Sequence, residues 1–317
     1  MPQLESLATW LVATTLVGAA FAVAVRLALP HVLAWRGVWF CWRTKFGPAL
    51  VFDSADEDGT TVRLLNVNGT YQSVCYVDDD LLWVPVCAYH RTWAREVRRR
   101  FGKPGAGANK SFPGSEPLDR ARADGARADG ASAGGAPTSS TADSQPVPGP
   151  TLRRALVMGG GGYSFPKWLV AYRPDFACEA VEIDPAIKRI ARERFFVDRL
   201  IEEFNTDETG RLRLTTGDAW DVLLADEAGF DLIVNDAFGG NRPLGRLSTD
   251  EGARMIRAHL RKGGLYIGNV RTPLDGRRAQ VLRATEQAFS REFSHVRLIP
   301  ERPEEPRKTG NNALVAW

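Results

Sequence analysis

Downstream of residue 150, short apolar runs alternate with stretches of helical periodicity. ALVM (Ala155–Met158), EAVEI (Glu179–Ile183), RLTT (Arg213–Thr216), DLIVN (Asp231–Asn235) and GLYIGNV (Gly264–Val270) read as buried strands. Between them Phe165, Trp168, Leu169 and Tyr172 recur at helical spacing, as do Ile187, Ile190 and Ala191. A capping box at Ser248–Glu251 opens another helix, which the pattern ends at Lys262-Gly263-Gly264. Strands alternating with helices predict an α/β domain with a doubly wound parallel sheet over 151–317. HVRLIP (His295–Pro300) and NALVAW (Asn312–Trp317) lie close enough in sequence to close it antiparallel.

Upstream the pattern changes. ALVFD (Ala49–Asp53), TVRLLNV (Thr61–Val67) and YQSVCYV (Tyr71–Val77) are β-rich runs separated by DSADEDG and by Asn68-Gly69, a hairpin signal. A helix over Leu82–Phe101 completes a small β domain, 37–102. Ser6–Val25 carries no charge and is long enough, at about 20 residues, to cross a bilayer. No basic residue precedes it and Arg26, Arg36, Arg43 and Lys45 follow, which predicts a single-pass cell-membrane anchor over 1–36 with the bulk of the protein cytoplasmic. A signal peptide is disfavoured, since the apolar run has no basic flank before it and no small-residue cleavage site; a buried helix is the remaining rival. Pro30 is expected to interrupt the helix. Between 103 and 150 the chain reduces mainly to Gly, Ala, Ser, Pro, Asp and Arg, including a tandem ARADG, a composition that predicts a disordered linker.

Composition removes several functions. With 44% hydrophobic and 25% charged residues and a net charge of +3, the chain has no field that would recruit nucleic acid. Its 4 cysteines form no C-x-x-C pair and its 4 histidines no H-x-x-x-H spacing, so no metal site is signalled and the thiols read as free.

In an open parallel sheet the ligand sits at the carboxyl ends of the strands. There the sequence places Gly159, Gly160, Gly161 and Gly162 after the first strand, Glu182 and Asp184 after the second, Gly217-Asp218-Ala219 after the third, and Asn235-Asp236-Ala237-Phe238 after the fourth. Glycines allow close backbone approach, and carboxylates can accept from ribose hydroxyls or an adenine amino group. The set predicts an adenosine-type cofactor. A nicotinamide dinucleotide fits less well, because its fingerprint wants a third glycine where Ser164 stands.

Taken together, MGGGGYSFPKWL, AVEIDP, TTGDAW, VNDAF and KGGLYIGN, in that order, resemble the spermidine synthase family, and RLLNVNGTYQSVCYVDDD resembles its N-terminal hairpin domain. The resemblance implies a class I S-adenosylmethionine methyltransferase fold and S-adenosylmethionine, or its decarboxylated form, as cofactor, with no metal. It implies Glu182 on ribose, Asp184 nearby, Asp218 and Ala219 on adenine, Gly159–Gly161 beside the cofactor, Asp236 as base, and Gln72 and Phe238 on the substrate side. The acceptor is then a small molecule such as an amine, and a homodimer is compatible with this reading. Three departures stand out: Gly162 and Gly239 replace carboxylates that would grip a diamine, and Leu81–Pro85 lacks the family's Tyr and Glu. Within that family the chain resembles the membrane-attached spermidine-synthase-like proteins with a D-A-F motif. Two functions follow: an aminopropyl or methyl transferase, or a membrane-tethered module that binds an adenosine ligand without catalysis.

Overall fold

The computed structural model describes residues 2–103, 152–239, 242–243 and 245–317. The linker expected at 103–150 lies outside the described residues apart from Lys103. Helix α1 (Pro2–Trp35) runs through Pro30 without a break. Its Thr14–Trp35 portion has a mean hydropathy of 1.9, is buried against nothing, and is long and apolar enough to cross a membrane.

Four antiparallel strands follow in the order β1 (Trp39–Thr44), β2 (Gly47–Ala55), β3 (Thr61–Val67) and β4 (Thr70–Tyr76). The β3–β4 hairpin turns on Asn68 and Gly69, with φ of 50° and 79°, the left-handed pair that a two-residue turn needs. Strand β1 was not expected: its WFCWRT sequence has no polar alternation. Helix α2 (Ala88–Phe101) begins six residues later than the sequence suggested. Pro85 explains the delay, because the residue before a proline is steered away from helical geometry.

The second layer contains β5 (Arg153–Met158), α3 (Ser164–Tyr172), β6 (Phe176–Glu182), α4 (Pro185–Arg194), α5 (Val197–Glu203), α6 (Thr206–Thr209), β7 (Leu212–Thr216), α7 (Ala219–Ala225) and β8 (Phe230–Asn235). A two-stranded ribbon, β9 (Phe238–Gly239) with β10 (Arg242–Pro243), leads to α8 (Asp250–His259), β11 (Leu260–Thr272), α9 (Gln280–Glu292), β12 (Val296–Ile299) and β13 (Gly310–Ala316). The large sheet has the order β12-β13-β11-β8-β5-β6-β7. The β5, β6, β7, β8 and β11 pairings are parallel, whereas β13 runs antiparallel to both β11 and β12. The doubly wound sheet with an antiparallel closing pair is therefore present.

Helix α8 departs from the expected boundaries at both ends. Ser248 belongs to the preceding 3-10 turn, Gly245–Ser248, so Thr249 is the N-cap and accepts from the Gly252 amide at 3.2 Å, while Glu251 pairs with Arg246. The helix ends at His259, not at Lys262-Gly263-Gly264, because the β8–β11 register shifts between Leu260 and Leu265 and Gly263, at φ 81°, turns inside the strand.

Alternate residues of β5 feed the two faces of the sheet. Ala155 and Val157 join a core with Trp168, Leu169 and Ile190, whereas Leu156 and Met158 join Leu223, Ile256 and Phe289. The first core continues into Ala49, Val51, Leu65 and Trp93, so the small sheet and α2 share a hydrophobic core with the large sheet. The chain winds outward from β5 in both directions, and this reversal opens a crevice at the carboxyl ends of β5 and β8.

Candidate active site

A cavity of about 870 Å3 lies over that crevice, roofed by β4 and α2. Its floor depends on Gly159. At φ 92°, a Cβ on Gly159 would stand 2.6 Å from the Asp236 carbonyl oxygen, so only glycine lets the ends of β5 and β8 come this close. The Gly159 amide donates to Val181 O at 2.9 Å and the Asp236 amide to Met158 O at 2.8 Å, fixing three strand ends relative to one another.

Glu182 organises the next turn. Its Oε2 accepts from the Gly160 and Gly161 amides at 3.0 and 2.9 Å, and its Oε1 from the Asp184 amide at 2.9 Å. Burial pushes its pKa up, and the three amide bonds pull it down without restoring the ordinary value. The carboxylate lines the cavity with free lone-pair directions left for further donors. Asp184 is used differently. It caps α4 by accepting from the Ala186 amide at 2.8 Å and also accepts from the Lys45 amide of the β1–β2 turn. It is fully buried, outside the set of cavity-lining residues, and ties the small sheet to the end of β6.

Asp218 caps α7 through the Trp220 amide at 2.9 Å, is exposed, and lines the cavity with Ala219 and Trp220. Gln72 and Phe238 line it as well, on the roof and on the rim. The carbonyl of Gln72 is the atom nearest to a Cβ on Gly161, at 3.5 Å, which puts β4 directly over the glycine loop.

Asp236 sits at the end of β8 with both oxygens engaged. Asn269 Nδ2 donates to Oδ1 at 2.8 Å; His90 Nε2 lies 3.2 Å and the Tyr89 hydroxyl 3.4 Å from Oδ2. Burial, aided by the Asp236 charge, pushes the Tyr89 phenol well above its ordinary pKa, so it stays a neutral donor. Beyond Asn269, its amide also donates to Asn311 Oδ1 at 3.3 Å, and Asn311 donates in turn to Glu301.

The structure thus brings Gly159–Gly161, Glu182, Asp218, Ala219, Asp236, Gln72 and Phe238 to one cavity and leaves Asp184 behind it. Tyr89, His90, Asn269, Asn311, Arg271 and Arg302 also line the cavity and were missed. A signal existed for two of them. His90 falls on the buried stripe of α2 with Trp93, Ala94 and Val97, and Asn269 is the one amide side chain inside the buried run Gly264–Val270 of β11. Gly162 has a steric reason to be glycine: a Cβ there would meet Ser73 Oγ at 2.5 Å and Phe195 at 2.8 Å. Among the described residues no cluster of His, Cys, Asp or Glu could hold a metal ion.

No family model matches the chain. A probable polyamine aminopropyl transferase of Bifidobacterium longum is 29% identical over 136 residues, which are 43% of this chain and 28% of that protein. The polyamine aminopropyltransferase of Vibrio vulnificus is 31% identical over 125 residues, 38% of each chain. The matches therefore span well under half the length of these relatives. Among solved structures, a probable spermidine synthase from Corynebacterium glutamicum aligns with a TM-score of 0.59 at 19% identity, over 88% of this chain and 79% of that one. Spermidine synthase from Thermotoga maritima aligns at 0.52 and 12% identity, over 88% and 72%. At these identities the likeness is one of fold. The chain is a sequence relative of the polyamine aminopropyltransferases and carries the class I methyltransferase-like fold of the spermidine synthases.

Proposed function

We propose that the protein is a transferase that binds decarboxylated S-adenosylmethionine, or S-adenosylmethionine itself, in this cavity and moves a carbon group to an amine. The observation that carries the reading is the placement of Asp236: a carboxylate held by three side chains at the end of β8, against a glycine floor that a single Cβ would fill.

The residues fit an adenosine ligand. Glu182 would accept from ribose hydroxyls while its amide bonds keep the glycine loop open, and Asp218 with Ala219 would meet the adenine edge. Asp184 would act through Glu182 and Lys45 as a brace. When bound, the cofactor supplies a sulfonium whose attached carbon is open to a nucleophile. Asp236 accepts the proton that the amine must lose before it can attack, and Asn269, Tyr89 and His90 hold the carboxylate in position for that transfer.

The sequence relatives favour an aminopropyl group. A methyl group is the second reading, favoured by Gly162, where Ser73 and Phe195 leave no room for a carboxylate beside the cofactor's chain. Helix α1 would tether the protein to a membrane. Purified protein should release methylthioadenosine from decarboxylated S-adenosylmethionine under the first reading and S-adenosylhomocysteine from S-adenosylmethionine under the second.

A further inference from the structure

Strand β11 passes Asp236 with Asn269 and continues toward the rim. Side chains two residues apart in a strand share a face, so Arg271 projects on the side of Asn269, about 7 Å further along. Its partner in the β11–β13 register is Asn311, which lines the same cavity. Arg271 is exposed and lines the cavity, and its guanidinium has no hydrogen bond or ion pair among the described residues. Arg302 lines the cavity at the same end, with only a 3.8 Å contact to Glu305 on the outer surface.

The acids at this end are each hydrogen-bonded by neutral donors, and the Glu301 charge acts on Tyr89 from behind the cavity wall. Asp236 is held by Asn269, Tyr89 and His90. Glu301 accepts from the Asn311 backbone amide at 2.7 Å and from its side chain at 3.2 Å, and it is not among the lining residues. An acceptor entering here meets one carboxylate beside the reacting position and two guanidinium groups beyond it. A diamine would place its distal ammonium against those cations, whereas an acid would pair with them, bidentately in favourable geometry.

We propose that the acceptor is zwitterionic, a primary amine carrying a carboxylate about three to five bonds away, with Arg271 as the residue that selects it and Arg302 in support. The proposal rests on the transferase reading above and names its acceptor class. The spacing follows from the geometry, since the amine must reach Asp236 while the acid group reaches the guanidinium one step further along β11.

The test uses the full-length protein in detergent micelles saturated with methylthioadenosine, titrated calorimetrically with 4-aminobutyrate and with putrescine, which match in length but differ at one end. The native protein should bind 4-aminobutyrate about tenfold or more tightly than putrescine, and Arg271→Glu should invert that order while methylthioadenosine affinity stays unchanged. Equal or tighter putrescine binding in the native protein, or an order unaltered by Arg271→Glu, would overturn the proposal. If methylthioadenosine binds and neither amine does, the acceptor class is wrong and the nucleoside reading survives. If methylthioadenosine does not bind, both fail.

Discussion

His90 Nε2 stands 3.2 Å from Asp236 Oδ2, joining two residues that are 146 apart in sequence. The contact links α2 to the carboxyl end of β8 in the large sheet. Neither residue lies on a mobile side-chain end: their side chains are 8% and 17% exposed. His90 Nδ1 is buried without a partner, which leaves Nε2 as the nitrogen that engages the acid. The Asp236 carboxylate is therefore held between α2 and the large sheet, and the shared core that packs α2 against α3 sets that geometry.

Replacing His90 should separate positioning from chemistry. His90→Phe keeps a ring of similar size against Trp93 and Phe165 but removes the donor to Asp236. Turnover should fall by about one to two orders of magnitude with methylthioadenosine affinity nearly unchanged, since one of three supports is lost. Steady-state kinetics beside calorimetry make the check; a parallel loss of nucleoside affinity would mean that the change is structural.

Glu182 should make nucleoside binding pH-dependent. Its folded pKa lies above the ordinary 4.5, because burial outweighs the three amide hydrogen bonds. The ionised form accepts the ribose hydroxyls, so affinity should fall on acidification through a pH window above 4.5. The stability term has the opposite sense: a raised carboxylate pKa favours the folded state below the unfolded value, and that contribution is lost as pH rises through the folded one. Glu182→Gln should flatten the binding profile and weaken methylthioadenosine by about 1.5–3 kcal/mol. Titration calorimetry across that range reads both effects.

Gly162→Asp would supply the carboxylate that the resemblance to the spermidine synthases implies at this position, yet it should not confer diamine use. Its Cβ would stand 2.5 Å from Ser73 Oγ and 2.8 Å from Phe195, so β4 or the Phe195 ring must move. Overpacking of this kind costs about 1–3 kcal/mol. Denaturant unfolding should show that loss, and putrescine turnover should not rise.

Most of the large sheet was legible because its strands are buried on both faces and read as uninterrupted apolar runs, as in Ala155–Met158 and Asp231–Asn235. The acids at the strand ends followed from the same logic. What escaped was long-range in origin. Strand β1 is defined by pairing with β2 and by Trp42 Nε1 donating to Arg26 O at 3.1 Å, with nothing in its own alternation to announce it. The role of Asp184 depends on the Lys45 amide, 139 residues away, and that of His90 on the packing of α2 across the crevice. A polar residue on an apolar helix stripe implies a buried partner, but only the tertiary fold fixes which one.

Helix α1 should behave as a membrane tether. An uncovered apolar helix such as Thr14–Trp35 is costly to leave in water. Full-length protein should sediment with membranes and resist alkaline extraction, and a variant lacking residues 1–36 should stay in the supernatant. Recovery of the full-length protein in a detergent-free supernatant would show that the helix is covered in another way.

Under the proposed function, Asp236 is the proton acceptor of a sulfonium-dependent transfer. The most direct measurement is the rate of methylthioadenosine and S-adenosylhomocysteine release by the native protein and by Asp236→Asn, each supplied with decarboxylated or intact S-adenosylmethionine and a panel of amines. Release of one product by the native protein, reduced about 10²–10⁴-fold in Asp236→Asn with nucleoside affinity preserved, is the predicted result. Equal release by the two proteins, or none from the native protein with any amine, would contradict it.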